Sequence, residues 1–361
     1  MAVNLRTVFF LFSLLCALLM LLPAAVCSRT GEPDTTDSAS FISGTADKQA
    51  DEAVTESASP DGTSAEETST DQSVITDEKE LSPDAAVPVY TMTLETVSGT
   101  KELALEDYVR GILMGEMLSS FETEAWKALA VAARTYVFYR MEHGLPLSDD
   151  AGVCCAYLSD EDAEKRFGDA FSVVYEKAKT AVEETAGEIL LYDGAPACTM
   201  FHALSYEKTA SAETVFGNAL PYLISVSTPE SCTVSGMVTT AAFDRDTVDT
   251  LLGVVNGLPL ALTYGSDGRV ETVVTAGGHI FEGTAFRSRL SLRSCSFYIK
   301  EQNTDSVTFI VRGSGHGVGM SQWGAAVMAA DGADYREILA HYYPGTEAVS
   351  LYGTRTECLN R

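Results

Sequence analysis

In LALEDYVRGILMGEML, residues 103–118, Leu105, Tyr108, Val109, Ile112 and Leu113 recur at helical spacing, and the next place on that apolar stripe is taken by Glu116. Desolvation raises the pKa of a carboxyl group, which suits it to donate a proton near neutral pH. The plain alternative is a helix-end glutamate turned to water. A second group lies far downstream. Glycines recur at 313, 315, 317 and 319, directly before a helix start at Ser321, with His316 among them. Backbone without Cβ atoms can approach a ligand closely or take positive φ. A phosphate loop is a poor match, because no lysine follows and the spacing differs. A buried turn around a satisfied histidine is the structural alternative.

These groups need elements to hold them. Thr123 and Glu124 resemble a helix cap, and Ala125–Met141 is helical in composition, its alanines suited to close packing. Gly144 and Pro146 end it. Residues 147–169 are polar and irregular and hold Cys154 and Cys155; Ala170–Ala186 is helical again. Asp193-Gly194 between two apolar runs predicts a hairpin, with Pro196 suited to an edge, and Asp267-Gly268 predicts a second. Residues 297–312 predict two strands, and Ser321–Ala330 and Tyr335–His341 the last helices, closed by Pro344-Gly345. Helices and strands mix without strict alternation, so the fold class expected is α+β: a single extracytoplasmic domain of helices and β-hairpins behind an N-terminal membrane segment.

That segment is Val8–Cys27, almost wholly apolar and close to the ~20 residues of a membrane span. A cleaved signal peptide and a retained anchor both remain open; segment length favours the anchor, and both place the rest of the chain outside. Residues 29–86 carry fifteen acids against three bases, −12 of the formal −27 of the 361-residue chain. Such a stretch buries too little apolar surface to offset its ordering entropy and reads as a disordered, self-repelling spacer. The organisation is therefore 1–28 membrane segment, 29–87 acidic linker and 88–361 folded domain. The overall acidity excludes a nucleic-acid partner, since phosphates would be repelled.

Several separated blocks resemble the SpoIID/LytB family: LEDYVRGILMGEM with EAWKALAVAARTY, CCAYLS at Cys154, ETVFGNALPYLISV, GGHIFEGTAFRSRLSLRSCSF, and GHGVGMSQWGA with YREILAHYYPGT. The resemblance spans about Leu103 to Thr346. It implies a lytic transglycosylase of peptidoglycan, which cleaves the MurNAc–GlcNAc bond of peptide-stripped strands without water and leaves a 1,6-anhydro-MurNAc end. It also implies a role in engulfment during sporulation, beside a partner amidase and a membrane partner, from a single-pass anchor in the mother-cell membrane facing the intermembrane space.

By the same resemblance Glu116 is the catalytic acid and then base, so that the two-carboxylate spacing of ordinary glycosidases does not apply. Arg134, Tyr136, His202, Ser205, His316, Ser321 and Gln322 are the expected substrate contacts; helix packing is the alternative for Arg134 and Tyr136, and a satisfied strand-end histidine for His202. Trp323 suits a sugar face or the core. Some members bind zinc through a histidine and two cysteines, which here would be His143, Cys154 and Cys155; a vicinal disulfide or a free thiol is the alternative. Cys232–Cys295 is one conceivable disulfide among many. One departure stands out. The family's Ser-Gly-Gly after the histidine reads Ser205-Tyr206-Glu207 here, which leaves open a non-catalytic, glycan-binding enhancer of an amidase. A zinc hydrolase using water is a third, more distant reading.

Overall fold

The computed structural model describes residues 90–352, apart from 97, 98, 152, 231–233 and 235. Val8–Cys27, the acidic linker and Cys232 lie outside the described residues. Among those described, no helix is long and apolar enough to cross a membrane.

The domain opens with an unanticipated antiparallel hairpin, β1 (Thr91–Thr96) and β2 (Gly99–Ala104), whose Met92 and Leu94 alternate into the core. α1 (Leu105–Glu116) follows at once and buries the predicted stripe. α2 (Thr123–Glu142) starts at Thr123 with Glu122 at its N-cap, so neither Thr123 nor Glu124 caps it. α3 (Asp160–Phe167) lies inside the stretch read as irregular. It buries only Ala163, so it shows no apolar period; Ser159 caps it by accepting from Asp162 N–H, and acids fill its first turn. α4 is Phe171–Glu184.

The Asp193-Gly194 hairpin forms as expected, joining β3 (Glu188–Tyr192) to β4 (Ala195–Pro196) with φ of 50° and 81° at the turn. The chain then leaves that sheet. β5 (Phe201–His202) is followed by α5 (Ala212–Phe216), β6 (Val238–Asp244), α6 (Arg245–Leu252) and a second sheet of β7 (Leu260–Tyr264), β8 (Val270–Thr275) and β9 (Ile280–Glu282). Asp267-Gly268 turns β7 into β8, as its type predicts. α7 (Gly283–Arg289), β10 (Phe297–Gln302) and β11 (Ser306–Arg312) come next, with β11 central between β10 and β6. β12 (Met320–Ser321) pairs parallel with β5; α8 (Gln322–Ala330), α9 (Tyr335–Tyr342) and β13 (Glu347–Ser350) complete the described chain, with β13 edging β3.

The fold is mixed α+β with two hydrophobic clusters. The larger surrounds α2, whose residues are buried on almost every side and which α1, α4, α8, α9 and β3 all touch. Its alanines let neighbours close in all round. The smaller is sheet-based, with Phe286 and Phe297 stacked at its centre and Phe309 meeting both in T-shaped contacts.

Candidate active site

Glu116 is the last residue of α1, because Met117 turns extended. Its Oε1 accepts from the Ala156 amide at 2.9 Å and its Oε2 from the Gln322 side-chain amide at 2.9 Å. Burial raises its pKa; the two donated hydrogen bonds and the Arg166 guanidinium offset this only in part. The Ala156 amide reaches the carboxyl because α1 carries glycine where the segment 154–158 crosses it. A Cβ at Gly115 would stand 2.5 Å from the Ala156 carbonyl oxygen, and one at Gly111 would stand 2.7 Å from that of Leu158.

The second donor comes from the glycine block. Gly313, Gly315, Gly317 and Gly319 all have positive φ, between 70° and 99°. At Gly319 a Cβ would overlap the Met200 carbonyl oxygen, so glycine is what lets the chain come alongside β5 and form β12. Ser321 then caps α8, its Oγ accepting from Gly324 N–H, and Gln322 is delivered to Glu116 as the first helical residue.

Val318 joins the two histidines. Its carbonyl accepts from Nδ1 of His202 at 3.1 Å and its N–H donates to Nδ1 of His316 at 3.0 Å. In the neutral rings the proton therefore sits on Nδ1 of His202 and on Nε2 of His316. Nε2 of His202 accepts from the Ser205 hydroxyl at 2.6 Å. Burial, reinforced by His316 and Arg269, pushes the His202 pKa well down, so the ring stays neutral. A cavity of about 250 Å³ opens beside His316, walled also by Phe216, Arg287 and Ser288. Glu116 does not line it.

The expected contacts thus divide. Glu116, His202, Ser205, His316, Ser321 and Gln322 form one connected set. Arg134 and Tyr136 pack in the core, as the helix-packing alternative has it. Arg134 is fully buried, paired with Glu106 at 2.6 Å and donating to the Glu188 carbonyl. Tyr136 is buried and accepts from Arg140. On a helix buried all round, neither side chain is left to face a ligand. Trp323 sets its ring edge against Phe121. The departure at 206 and 207 does not fill the site: Tyr206 stacks on the Arg312 guanidinium at 4.5 Å, and Glu207 is exposed with φ of 63°.

The zinc set is not assembled. His143 is exposed at the end of α2, stacked on Tyr139 with Nδ1 donating to the Tyr139 carbonyl, whereas Cys154 and Cys155 are buried. Among the described residues, no group of three or more His, Cys, Asp or Glu side chains could hold a metal ion. The residues as placed do not fit the metal. The cysteines instead act on each other: a hydrogen bond from Cys155 lowers the Cys154 thiol to about 6, aided by Arg140 and Tyr108, while the same bond pushes Cys155 up.

One residue with no motif to announce it completes the set. Glu230 is buried, and its carboxyl oxygens accept from the Ser205 amide and from the hydroxyls of Ser321 and Thr228.

The family model described as "SpoIID: Stage II sporulation protein" matches residues 94–192, which hold Glu116, α2 and the 154–158 crossing. Stage II sporulation protein D of Bacillus subtilis is 33% identical over 272 residues, covering 73% of this chain and 78% of that protein. An uncharacterized protein of Brachyspira hyodysenteriae is 34% identical over 71% of this chain and 69% of its own length. An amidase enhancer of Bacillus subtilis is 23% identical and matched over only 40% of its length. At this identity and coverage, the chain belongs to the stage II sporulation protein D family.

Proposed function

We propose that the chain is a peptidoglycan lytic transglycosylase acting on peptide-stripped glycan strands during engulfment in sporulation. The observation that carries this reading is Glu116: a half-buried carboxyl with a raised pKa, held by donors from two separate elements. Protonated, it gives its proton to the glycosidic oxygen as the C1–O bond breaks. The resulting carboxylate takes the proton of the sugar's own C6 hydroxyl as O6 bonds C1. The product is a 1,6-anhydro end; no water is consumed, and Glu116 returns to its starting state. The Ala156 and Gln322 amides fix both oxygens and stabilise the carboxylate between the steps. His316 and the polar groups beside the cavity supply hydrogen bonds to sugar hydroxyls. The name shared by its sporulation relatives supports the setting. In that setting the chain sits on the mother-cell membrane through its N-terminal segment, facing the intermembrane space, with an amidase that strips stem peptides upstream and a membrane partner alongside.

Mass spectrometry of products from peptide-stripped strands tests the chemistry: anhydro ends are expected, and reducing ends would replace this mechanism with hydrolysis. A second reading, glycan-binding enhancement of an amidase, is favoured by the likeness to the amidase enhancer and by the Tyr206-Glu207 departure. Strands left uncut, together with faster peptide release by added amidase, would select it.

A further inference from the structure

We propose that Glu230 is the positioning residue of this site, fixing the donor that holds Glu116 and the serine that holds His202 through one buried carboxyl. The inference rests on the reading of Glu116 as the acid. Glu230 follows no recognisable motif, yet its Oε1 receives both the Ser205 amide at 2.9 Å and the Ser321 hydroxyl. These belong to the two strands that pair at the site, β5 with its following loop and β12. Ser321 is the N-cap of α8, so the direction of its hydroxyl decides where that helix begins. Donating to Glu230, it keeps a lone pair for Gly324 N–H, and Gln322 follows immediately. Ser205 passes the restraint the other way, to Nε2 of His202.

The surroundings are built to fit this carboxyl. Gly324 lacks the Cβ that would stand 2.6 Å from Oε2 of Glu230 and overlap the Tyr342 hydroxyl. Thr228 donates to Oε2 and lies 3.0 Å from the Tyr342 oxygen. A buried carboxyl with three donors has no spare freedom, which is what holding two elements in register requires.

Without Glu230, Ser321 turns elsewhere, the first turn of α8 loosens and Gln322 ceases to donate to Glu116. That donation lowers the Glu116 pKa, so its loss raises it. The charged and titratable groups facing Glu116 are Arg166 of α3 and the Cys155 thiol of the crossing segment; neither is touched by a change at 230.

Turnover of peptide-stripped strands and the carboxyl titration of Glu116, read by 13C NMR against Glu116→Gln, are to be measured in the full chain. For Glu230→Ala we expect kcat to fall ~10-fold or more, the size of a lost charge-assisted hydrogen bond. KM should stay within about twofold, and both the Glu116 titration and the alkaline limb of kcat should move to higher pH. Glu230→Gln keeps an oxygen for Ser205 and Ser321 and should restore most of the rate and the original titration. A Glu116 titration unmoved by Glu230→Ala, with lower thermal stability as the only effect, would overturn the proposal. Should Glu230→Ala fail to fold, Ser321→Ala carries the same expectation for the Glu116 titration. If the unaltered chain cuts no glycan, the proposed function fails, while the titration still decides the role of Glu230.

Discussion

As the proposed acid, Glu116 can donate a proton only while its carboxyl is protonated, so its raised pKa would set the pH range of that chemistry. Turnover should fall as pH rises through that pKa, and Gln322→Leu, which removes a donor that lowers it, should carry the falling limb to higher pH. Glu116→Gln keeps the shape and removes the proton; at least ~100-fold loss of anhydro product is expected. The same variant makes a thermodynamic test. A group whose folded pKa lies above its unfolded value binds more protons when folded, so its contribution is present at low pH and lost as pH rises through the folded pKa. Glu116→Gln should therefore melt above the unaltered protein at neutral pH, the gap closing as pH falls through the raised pKa of Glu116 and gone below the ordinary carboxylate value of about 4.3. Glu116 was legible in the sequence because a charge interrupted an apolar period. His316, Ser321 and Gln322 were legible because a run of alternating glycines has few other uses. Glu230 was not, since its meaning is three donors gathered from distant parts of the chain, and no spacing records that. The packing of Arg134 and Tyr136 was not legible for the opposite reason: a helix covered on almost every side offers no face that a sequence pattern could mark as open.

Among the elements, the crossing of 154–158 over α1 decides whether Glu116 has its amide donor. Gly115→Ala puts a methyl 2.5 Å from the Ala156 carbonyl oxygen. Overpacking of this kind costs about 1–3 kcal/mol. It should lower the thermal midpoint and, by moving the Ala156 amide away from Oε1, cut turnover; a variant of unchanged activity would separate the crossing from the chemistry. Glu207 makes the reverse case. It holds a left-handed conformation that glycine adopts without a Cβ clash, so Glu207→Gly should stabilise by about 1 kcal/mol, read as a higher midpoint in a thermal scan. The hairpins at Asp193-Gly194 and Asp267-Gly268 were readable because their turns are local. β5 and β12 were not: each is two residues long, and their pairing exists only after the glycine block has brought them side by side. α3 escaped because capping and charge rather than an apolar face sustain it.

At the scale of the whole molecule, the apolar Val8–Cys27 should keep the native protein with membranes through a high-salt wash, since salt screens charges and leaves a hydrophobic span untouched; a released form starting near Ser28 would show a cleaved leader instead. The α+β class was legible from mixed helical and hairpin signals, but the separation into two hydrophobic clusters was not, because both use the same residue types. The spread of the site along the chain has a consequence in time. The Ala156 donor lies 40 residues after Glu116 and the Gln322 donor 206 residues after it. A chain made N-terminus first, at ~5–20 residues per second, carries its acid for roughly 10–40 s before the second donor has even been synthesised. If the chain cuts the cell wall as proposed, it is thereby unarmed throughout its own production, and any truncated copy that stops short of residue 322 stays so.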